Sequence, residues 1–255
     1  MPEGDTIHRS AARLRSALEG KPLVRFEAPR AVGRPPRPGT VIETVEAVGK
    51  HLLIRFADGT TLRTHMRMTG SWHLYRTGER WQRPRHLARA VVEVEGWVAV
   101  CFSAPVVELE RGDERIAHLG PDLTNPEVTD ADIEVAVERM ATCSGPGDEI
   151  GAVLLDQRVA CGVGNVYKSE VLFACAIDPF ATVAAVTLED RRRLLSTASK
   201  LLRANLGGGP RRTTPEGLAV YGRRGQPCPR CGTPIRMRRQ GEQARSTYWC
   251  PTCQT

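Results

Sequence analysis

The sequence predicts a multidomain α+β chain: a β-sandwich first, a helical region next, and a small cysteine-pinned hairpin last. Residues 22–109 hold seven short strand-like runs separated by turn signals, the pattern of a β-sandwich. Residues 129–206 change to helical spacing. Near the C-terminus, Cys228-Pro-Arg-Cys231 and Cys250-Pro-Thr-Cys253 stand eighteen residues apart. A length of 255 residues accommodates two domains and an appendage of this kind.

In order, residues 5–19 read as a helix. Asp5 or Thr6 supplies an N-cap, and Ile7, Ala11, Leu14 and Leu18 form one apolar stripe. Gly20 ends it. The strand candidates are 23–28, 41–48, 52–57, 60–66, 70–75, 88–95 and 97–102, with Asp58-Gly59 and Glu95-Gly96 as hairpin turns. Residues 29–40 and 76–87 are basic loops. The polar stretch 110–128, with Gly120-Pro121 and Asn125-Pro126, marks a boundary. Helices are expected at 129–140, capped by Thr129, then at 147–156, 165–175 and 187–206, the last opened by Thr187 and Asp190. The resulting division is 1–120, 121–222 and 223–255.

Charge is distributed unevenly. Residues 1–90 carry 17 basic and 8 acidic side chains, residues 91–199 carry 8 and 19, and residues 200–255 carry 11 and 2. Two basic ends around an acidic middle suit a polyanion held between two lobes. Only Lys21, Lys50, Lys168 and Lys200 are lysines among 36 basic residues, so a lysine hints that an ammonium is wanted there. No apolar run approaches a membrane span, and charges from Glu3 to Arg15 leave no signal-peptide core. The expectation is a soluble, intracellular protein, cytosolic or associated with the nucleoid.

The two C-x2-C pairs have the spacing of a four-thiolate site for one structural Zn2+, with Cys228, Cys231, Cys250 and Cys253 as ligands and no open position for catalysis. Residues 233–249 between them form a hairpin carrying Arg236, Arg238, Arg239 and Arg245, suited to gripping phosphate. Cys101, Cys143, Cys161 and Cys175 lack ligand spacing and read as buried thiols.

Three further stretches offer chemistry. In Gly162-Val-Gly-Asn165-Val-Tyr-Lys168, a helix start after a glycine turn seats an anion on its free N–H groups, with the Asn165 amide and Lys168 nearby. A helix–turn–helix packed on its glycines explains the same pattern. Lys50, in Gly49-Lys50-His51, emerges between two apolar strands, where it could meet a phosphate or sit near the Pro2 amine; taken alone it reads sooner as an ordinary surface lysine. In His65-Met66-Arg67-Met68-Thr69-Gly70, an exposed methionine would serve as a wedge between bases, a buried one as core.

The chain opens Met1-Pro2-Glu3-Gly4. If Met1 is removed, Pro2 carries a free secondary amine. An α-amino group titrates at roughly 7.7–8.0, so it is a nucleophile near neutral pH, and Glu3 beside it can move protons.

Together, the Pro-Glu start, Val48-Gly49-Lys50-His51-Leu52-Leu53, Gly164-Asn165 and Thr247-Tyr248-Trp249-Cys250-Pro251-Thr252-Cys253-Gln254 resemble the formamidopyrimidine-DNA glycosylase and endonuclease VIII family of base-excision repair enzymes, nearly end to end. The resemblance implies an N-terminal β-sandwich, a helix–two-turn–helix domain and a C-terminal zinc finger, with damaged DNA bound in the cleft between them. It implies Pro2 as the nucleophile at the sugar C1′ of a flipped nucleotide, Glu3 as general acid and base, and Lys50 as a catalytic phosphate contact. Asn165 and Arg245 would hold phosphates beside the lesion. Arg67, Met68 and Thr69 match the loop that fills the gap left by the flipped base.

Two departures bear on function. The family has an acidic residue where this chain has Thr6, with Asp5 next to it. The Arg and Phe that the formamidopyrimidine branch inserts opposite the lesion have no counterpart in 104–115, and Ser103-Ala104-Pro105 looks more like endonuclease VIII. The expectation is a monomeric, bifunctional glycosylase and abasic-site lyase removing oxidised pyrimidines, without an organic cofactor. The alternatives are an 8-oxoguanine enzyme and a non-catalytic sensor of DNA damage.

Overall fold

A computed structural model describes residues 2–255. The chain divides into two compact units, Met1–Ala117 and His118–Thr255.

The first unit opens with α1 (Gly4–Leu18), which buries Ile7, Ala11, Leu14, Ala17 and Leu18. The expected caps, Asp5 and Thr6, lie inside the helix. It starts from Glu3, which is extended (φ −124°) and accepts from the amides of Thr6 (2.9 Å) and Ile7 (3.2 Å). The earlier start turns the Asp5 side chain inward, where it is fully buried. Gly20 ends the helix at φ +76°.

Eight strands follow: β1 (Leu23–Glu27), β2 (Ile42–Val48), β3 (His51–Phe56), β4 (Thr60–His65), β5 (Ser71–Arg76), β6 (Ala88–Val94), β7 (Trp97–Phe102) and β8 (Val106–Arg111). They form two antiparallel four-stranded sheets, β1-β6-β7-β5 and β2-β3-β4-β8. The shared core takes Ile7, Leu14 and Leu18 from α1, Val45, Leu52 and Ile54 from one sheet, and Val92, Ala99 and Cys101 from the other. Strand β7 is buried on both faces because residues alternate direction along a strand. Ala99 and Cys101 face the sandwich, while Val98, Val100 and Phe102 join a second cluster with Tyr75, under Trp81 and Leu87 of the basic loop.

Strand β8 falls where the sequence reading ended its strands. Glu108, Glu110 and Arg111 make it look like loop. It is an edge strand, and its charges are met across the ladder: Arg63 on β4 pairs with Glu108 and with Glu110, and Arg63 itself is 6% exposed.

In the second unit, α2 (Asp130–Thr142) is closed by a capping box between Thr129 and Asp132, and α5 (Leu188–Ala204) by Thr187, whose hydroxyl accepts from the Asp190 amide at 3.1 Å. The helix expected at 147–156 shrinks to α3 (Ile150–Val153). Its first amides are already used: Ile150 N donates to Ala181 O and Gly151 N to Pro179 O. Helix α4 (Asn165–Ala174) is buried from Asn165 to Phe173. The core joins Ile133, Met140, Leu154, Tyr167, Leu172, Leu195 and Leu202.

The C-terminal hairpin, β9 (Arg236–Gln240) and β10 (Arg245–Trp249), packs inside this same unit. Phe173, Ala219, Val220, Cys228, Ile235 and Cys250 share one apolar cluster. Arg230, in the first cysteine turn, donates to Phe173 O (2.8 Å) and Ala174 O (3.0 Å), satisfying carbonyls at the end of α4. No helix among the described residues is long and apolar enough to cross a membrane.

Candidate active site

In the first unit, α1 and β2 run antiparallel. Gly20 N donates to Ile42 O (2.8 Å) and Arg15 Nε to Val45 O (2.8 Å), so moving back along the helix moves forward along the strand. The helix start, with Pro2 and Glu3, therefore lies at the same end of the sandwich as the β2–β3 turn, Gly49-Lys50. Pro2 is half-buried, Glu3 is fully buried and Lys50 is half-buried. Met1, whose removal would free the Pro2 amine, lies outside the described residues.

Two further pieces reach that end. The β3–β4 register sets His65 opposite His51, the rings meeting edge to face at 4.8 Å. The sequence gives His65, which opens the Met68 stretch, no role of its own. Its burial, with the charges of Arg67, Lys50 and Arg63, holds its pKa down at about 4, so the ring is neutral near pH 7. Arg67 N donates to its Nδ1 (3.2 Å), which leaves Nε2 to carry the proton. The turn from β4 to β5 then exposes Arg67, Met68 and Thr69, while Met66 is core. Met68 is 64% exposed, and Arg67 takes the left-handed conformation at φ +44°. Thr69 Oγ1 ties the turn to Ser103 O (2.9 Å). Gly70 permits it: a Cβ there would sit 2.7 Å from the Met66 backbone and 3.0 Å from Ala104 Cα. Thr6 donates from Oγ1 to Asp5 Oδ1 (3.3 Å), and Arg9 lies 3.9 Å from the same carboxylate.

In the second unit, Asn165 opens α4 and is 5% exposed. Its Nδ2 donates to Ser246 O at 2.7 Å, and its Oδ1 is buried without a hydrogen-bond partner. Ser246 follows Arg245, a half-buried residue whose guanidinium donates to Gln243 Oε1 (2.7 and 3.1 Å). Asn165 and the Arg245-Ser246 segment of β10, far apart in sequence, are thus joined at the start of α4 through the Ser246 carbonyl.

Lys168 is a correction. It was expected to offer a charge to phosphate, but it is fully buried. One turn beyond Asn165, it faces the hairpin, and its Nζ donates to Thr247 Oγ1 (2.6 Å) and Gln240 Oε1 (3.4 Å). Glu170, by contrast, has no role predicted from sequence. Its buried carboxylate accepts from the amides of Ala219 (2.7 Å), Val220 (2.9 Å) and Tyr221 (2.7 Å) and from the Thr213 hydroxyl, pinning the linker to α4. One signal was available: Glu170 stands four residues from Val166, on the same face of α4 as that apolar side chain.

The four cysteine sulfurs lie within 4.8 Å of one another. Cys228 and Cys253 are 3.9 Å apart and Cys231 and Cys250 3.5 Å, close to the separation of about 3.8 Å that a tetrahedron with Zn–S of about 2.3 Å requires. Hydrogen bonds from Thr233 hold the Cys231 thiol down at about 6, whereas burial and the neighbouring sulfurs push Cys253 up to about 12. Such crowded sulfurs become thiolates together only around a cation. The set fits one structural Zn2+.

Three family models match in succession. They are the formamidopyrimidine-DNA glycosylase N-terminal domain over residues 1–105, the formamidopyrimidine-DNA glycosylase H2TH domain over 119–214, and the zinc finger found in FPG and IleRS over 225–255. Over its whole length the chain is 42% identical to a probable endonuclease 8 2 of Streptomyces coelicolor, covering 94% of that protein. It is 41% identical to the DNA-(apurinic or apyrimidinic site) lyase Nei2 of Mycolicibacterium smegmatis, covering 99%. Its fold matches a Lactococcus lactis formamidopyrimidine-DNA glycosylase, solved non-covalently bound to DNA containing an AP site, with a TM-score of 0.83 at 22% identity and full coverage of both chains. The order of the three domains, and relatives matched from end to end, place this chain in the formamidopyrimidine-DNA glycosylase and endonuclease 8 family.

Proposed function

We propose that this chain is a bifunctional DNA glycosylase and abasic-site lyase that removes oxidised pyrimidines through the amine of Pro2. The observation that carries the reading is the Pro2-Glu3 start, set on a rigid helix at the Lys50 end of its unit, in a chain that aligns throughout with an endonuclease 8 and an abasic-site lyase.

The Pro2 nitrogen attacks C1′ of the damaged nucleotide. The N–C1′ bond forms, the glycosidic bond breaks, and the base leaves with the bonding pair and takes a proton. Ring opening gives an iminium, with Glu3 moving the protons. The iminium acidifies C2′–H. Loss of that proton expels the 3′ phosphate, and a second elimination expels the 5′ phosphate. Lys50, beside a neutral His65, supplies the positive charge that steadies the phosphate. Asp5, buried and bonded to Thr6, takes the part of the acidic residue the family carries at position 6. Arg67 and Met68 fill the gap left by the flipped base. Asn165 and Arg245 hold flanking phosphate, Asn165 through the second hydrogen of its amide. Zn2+, held by Cys228, Cys231, Cys250 and Cys253, supplies rigidity to the hairpin and no chemistry. The protein acts as a monomer on damaged DNA in the cytosol, with its work divided among 1–120, 121–222 and 223–255.

The test is borohydride trapping on a duplex carrying an abasic site. Protein lacking Met1 is expected to form a covalent adduct, and blocking its terminal amine to abolish it. Absence of any adduct from the unblocked protein sinks the reading.

A further inference from the structure

Lys168 is an unusual choice inside a protein. An ammonium held out of water must be compensated by hydrogen bonds or charge. Its contacts include two oxygens at the seam between α4 and the hairpin, Thr247 Oγ1 at 2.6 Å and Gln240 Oε1 at 3.4 Å. Thr247 Oγ1 donates in turn to Gln240 Oε1 (2.7 Å). Gln240 is 5% exposed and spends its Nε2 on Pro179 O (2.7 Å) and Glu149 Oε2 (2.9 Å). Glu149 also pairs with Arg238 at 3.2 Å. A buried chain thus runs from the ammonium through an amide to a half-exposed carboxylate. Gly151 leaves it room, since a Cβ there would lie 2.6 Å from Gln240 Oε1.

The chain acts on both strands of the hairpin. Gln240 ends β9 and faces Arg245 across the ladder, and Thr247 lies two residues beyond Arg245 on β10. The N-terminal half of α4 contacts three successive residues of β10: Asn165 Nδ2 meets Ser246 O, Lys168 Nζ meets Thr247 Oγ1, and Ser169 Oγ accepts from Tyr248 N (3.3 Å). A one-residue slip of the hairpin along α4 would turn Thr247 away from the ammonium and leave a buried charge with a poorer partner. The ammonium therefore favours one register, the one that seats Ser246, next in sequence to Arg245, on the Asn165 amide.

We infer that Lys168 is a positioning residue for DNA: its buried ammonium fixes the hairpin so that Arg245 and Asn165 together meet one backbone phosphate. This rests on the reading of Arg245 as a phosphate contact. It assigns to Lys168 no contact of its own with the nucleic acid.

The test is a double-mutant cycle on binding to a duplex with a stable abasic-site analogue, measured over a salt series with zinc-loaded, full-length protein. Lys168→Met is expected to stay folded with its zinc and to bind about tenfold more weakly, with a slope of log Kd against log salt smaller by about 1, the mark of one lost phosphate contact. Added to Arg245→Ala, it is expected to cost nothing further, because the contact it positions is already gone. Thr247→Val, which removes the 2.6 Å acceptor, carries the same test if Lys168→Met does not fold. Losses that multiply, an unchanged salt slope, or wild-type binding by Arg245→Ala would each overturn the inference. DNA binding without a borohydride adduct would instead overturn the catalytic reading and leave this one standing.

Discussion

Asn165 and Ser246 are 81 residues apart in sequence and joined by a 2.7 Å hydrogen bond from the Asn165 amide to the Ser246 carbonyl. The bond makes the start of α4 and the zinc hairpin one structure. Asn165→Asp replaces the donor with a carboxylate facing that carbonyl. We expect it to cost about 1–3 kcal/mol, the range for a buried carbonyl left unsatisfied, and to weaken DNA binding more than Asn165→Ala. Urea unfolding and binding titrations check both; a neutral Asn165→Asp would contradict the geometry.

Chelating zinc should act within the second unit. Arg230 links the first cysteine turn to the last carbonyls of α4, and Gln254, which accepts from Cys250 N, donates to Ile177 O (2.9 Å). Loss of the metal is expected to raise hydrogen exchange in β9, β10 and the end of α4 and to weaken DNA binding, while the amides of β3 and β7 stay protected. Equal exposure of the sandwich amides would show that the metal supports the whole chain.

Gly70 and Met68 should separate stability from function. Gly70→Ala pushes a methyl group into the Met66 and Ala104 backbones, an overpacking worth about 1–3 kcal/mol. Met68→Ala, at an exposed turn, should change stability by less than about 0.5 kcal/mol and yet slow lesion processing. Single-turnover kinetics beside thermal melts read the two effects. An unaffected rate in Met68→Ala would remove that residue from the DNA surface.

His65 sets a pH dependence. Its pKa is about 4 in the folded chain against about 6.5 when unfolded, so the unfolded state binds the proton more readily. Stability is unaffected above pH 6.5 and falls as pH drops from 6.5 towards 4. The melting temperature of His65→Gln should decline less over that window than that of the wild type. An NMR titration midpoint for His65 near 6.5 would contradict the assignment.

Lesion choice is the last expectation. Matched oligonucleotides should lose 5-hydroxyuracil or thymine glycol faster than 8-oxoguanine. The reverse order would move the chain towards the formamidopyrimidine branch.

Much of this was legible in the residues themselves. The zinc set follows from spacing, because two C-x2-C turns can present four sulfurs to one ion whatever surrounds them. The sandwich follows from alternation and turn residues, which are local. The Pro2-Glu3 start, Lys50 and Asn165 were recognisable as motifs, and the comparisons bear out the family. What failed were properties of partners. Strand β8 exists because Arg63 on another strand meets Glu108 and Glu110. Helix α3 is short because Gly151 N bonds to Pro179 O, so no turn starts from 147, and the chain tightens to i−3 bonds at Leu155 and Asp156. Lys168 looked like a surface cation because a sequence gives charge without burial, and only the hairpin packed over α4 turns that ammonium inward. Local chemistry is written in the order of residues; burial, and with it whether a charge meets solvent or another side chain, is decided only when distant segments pack.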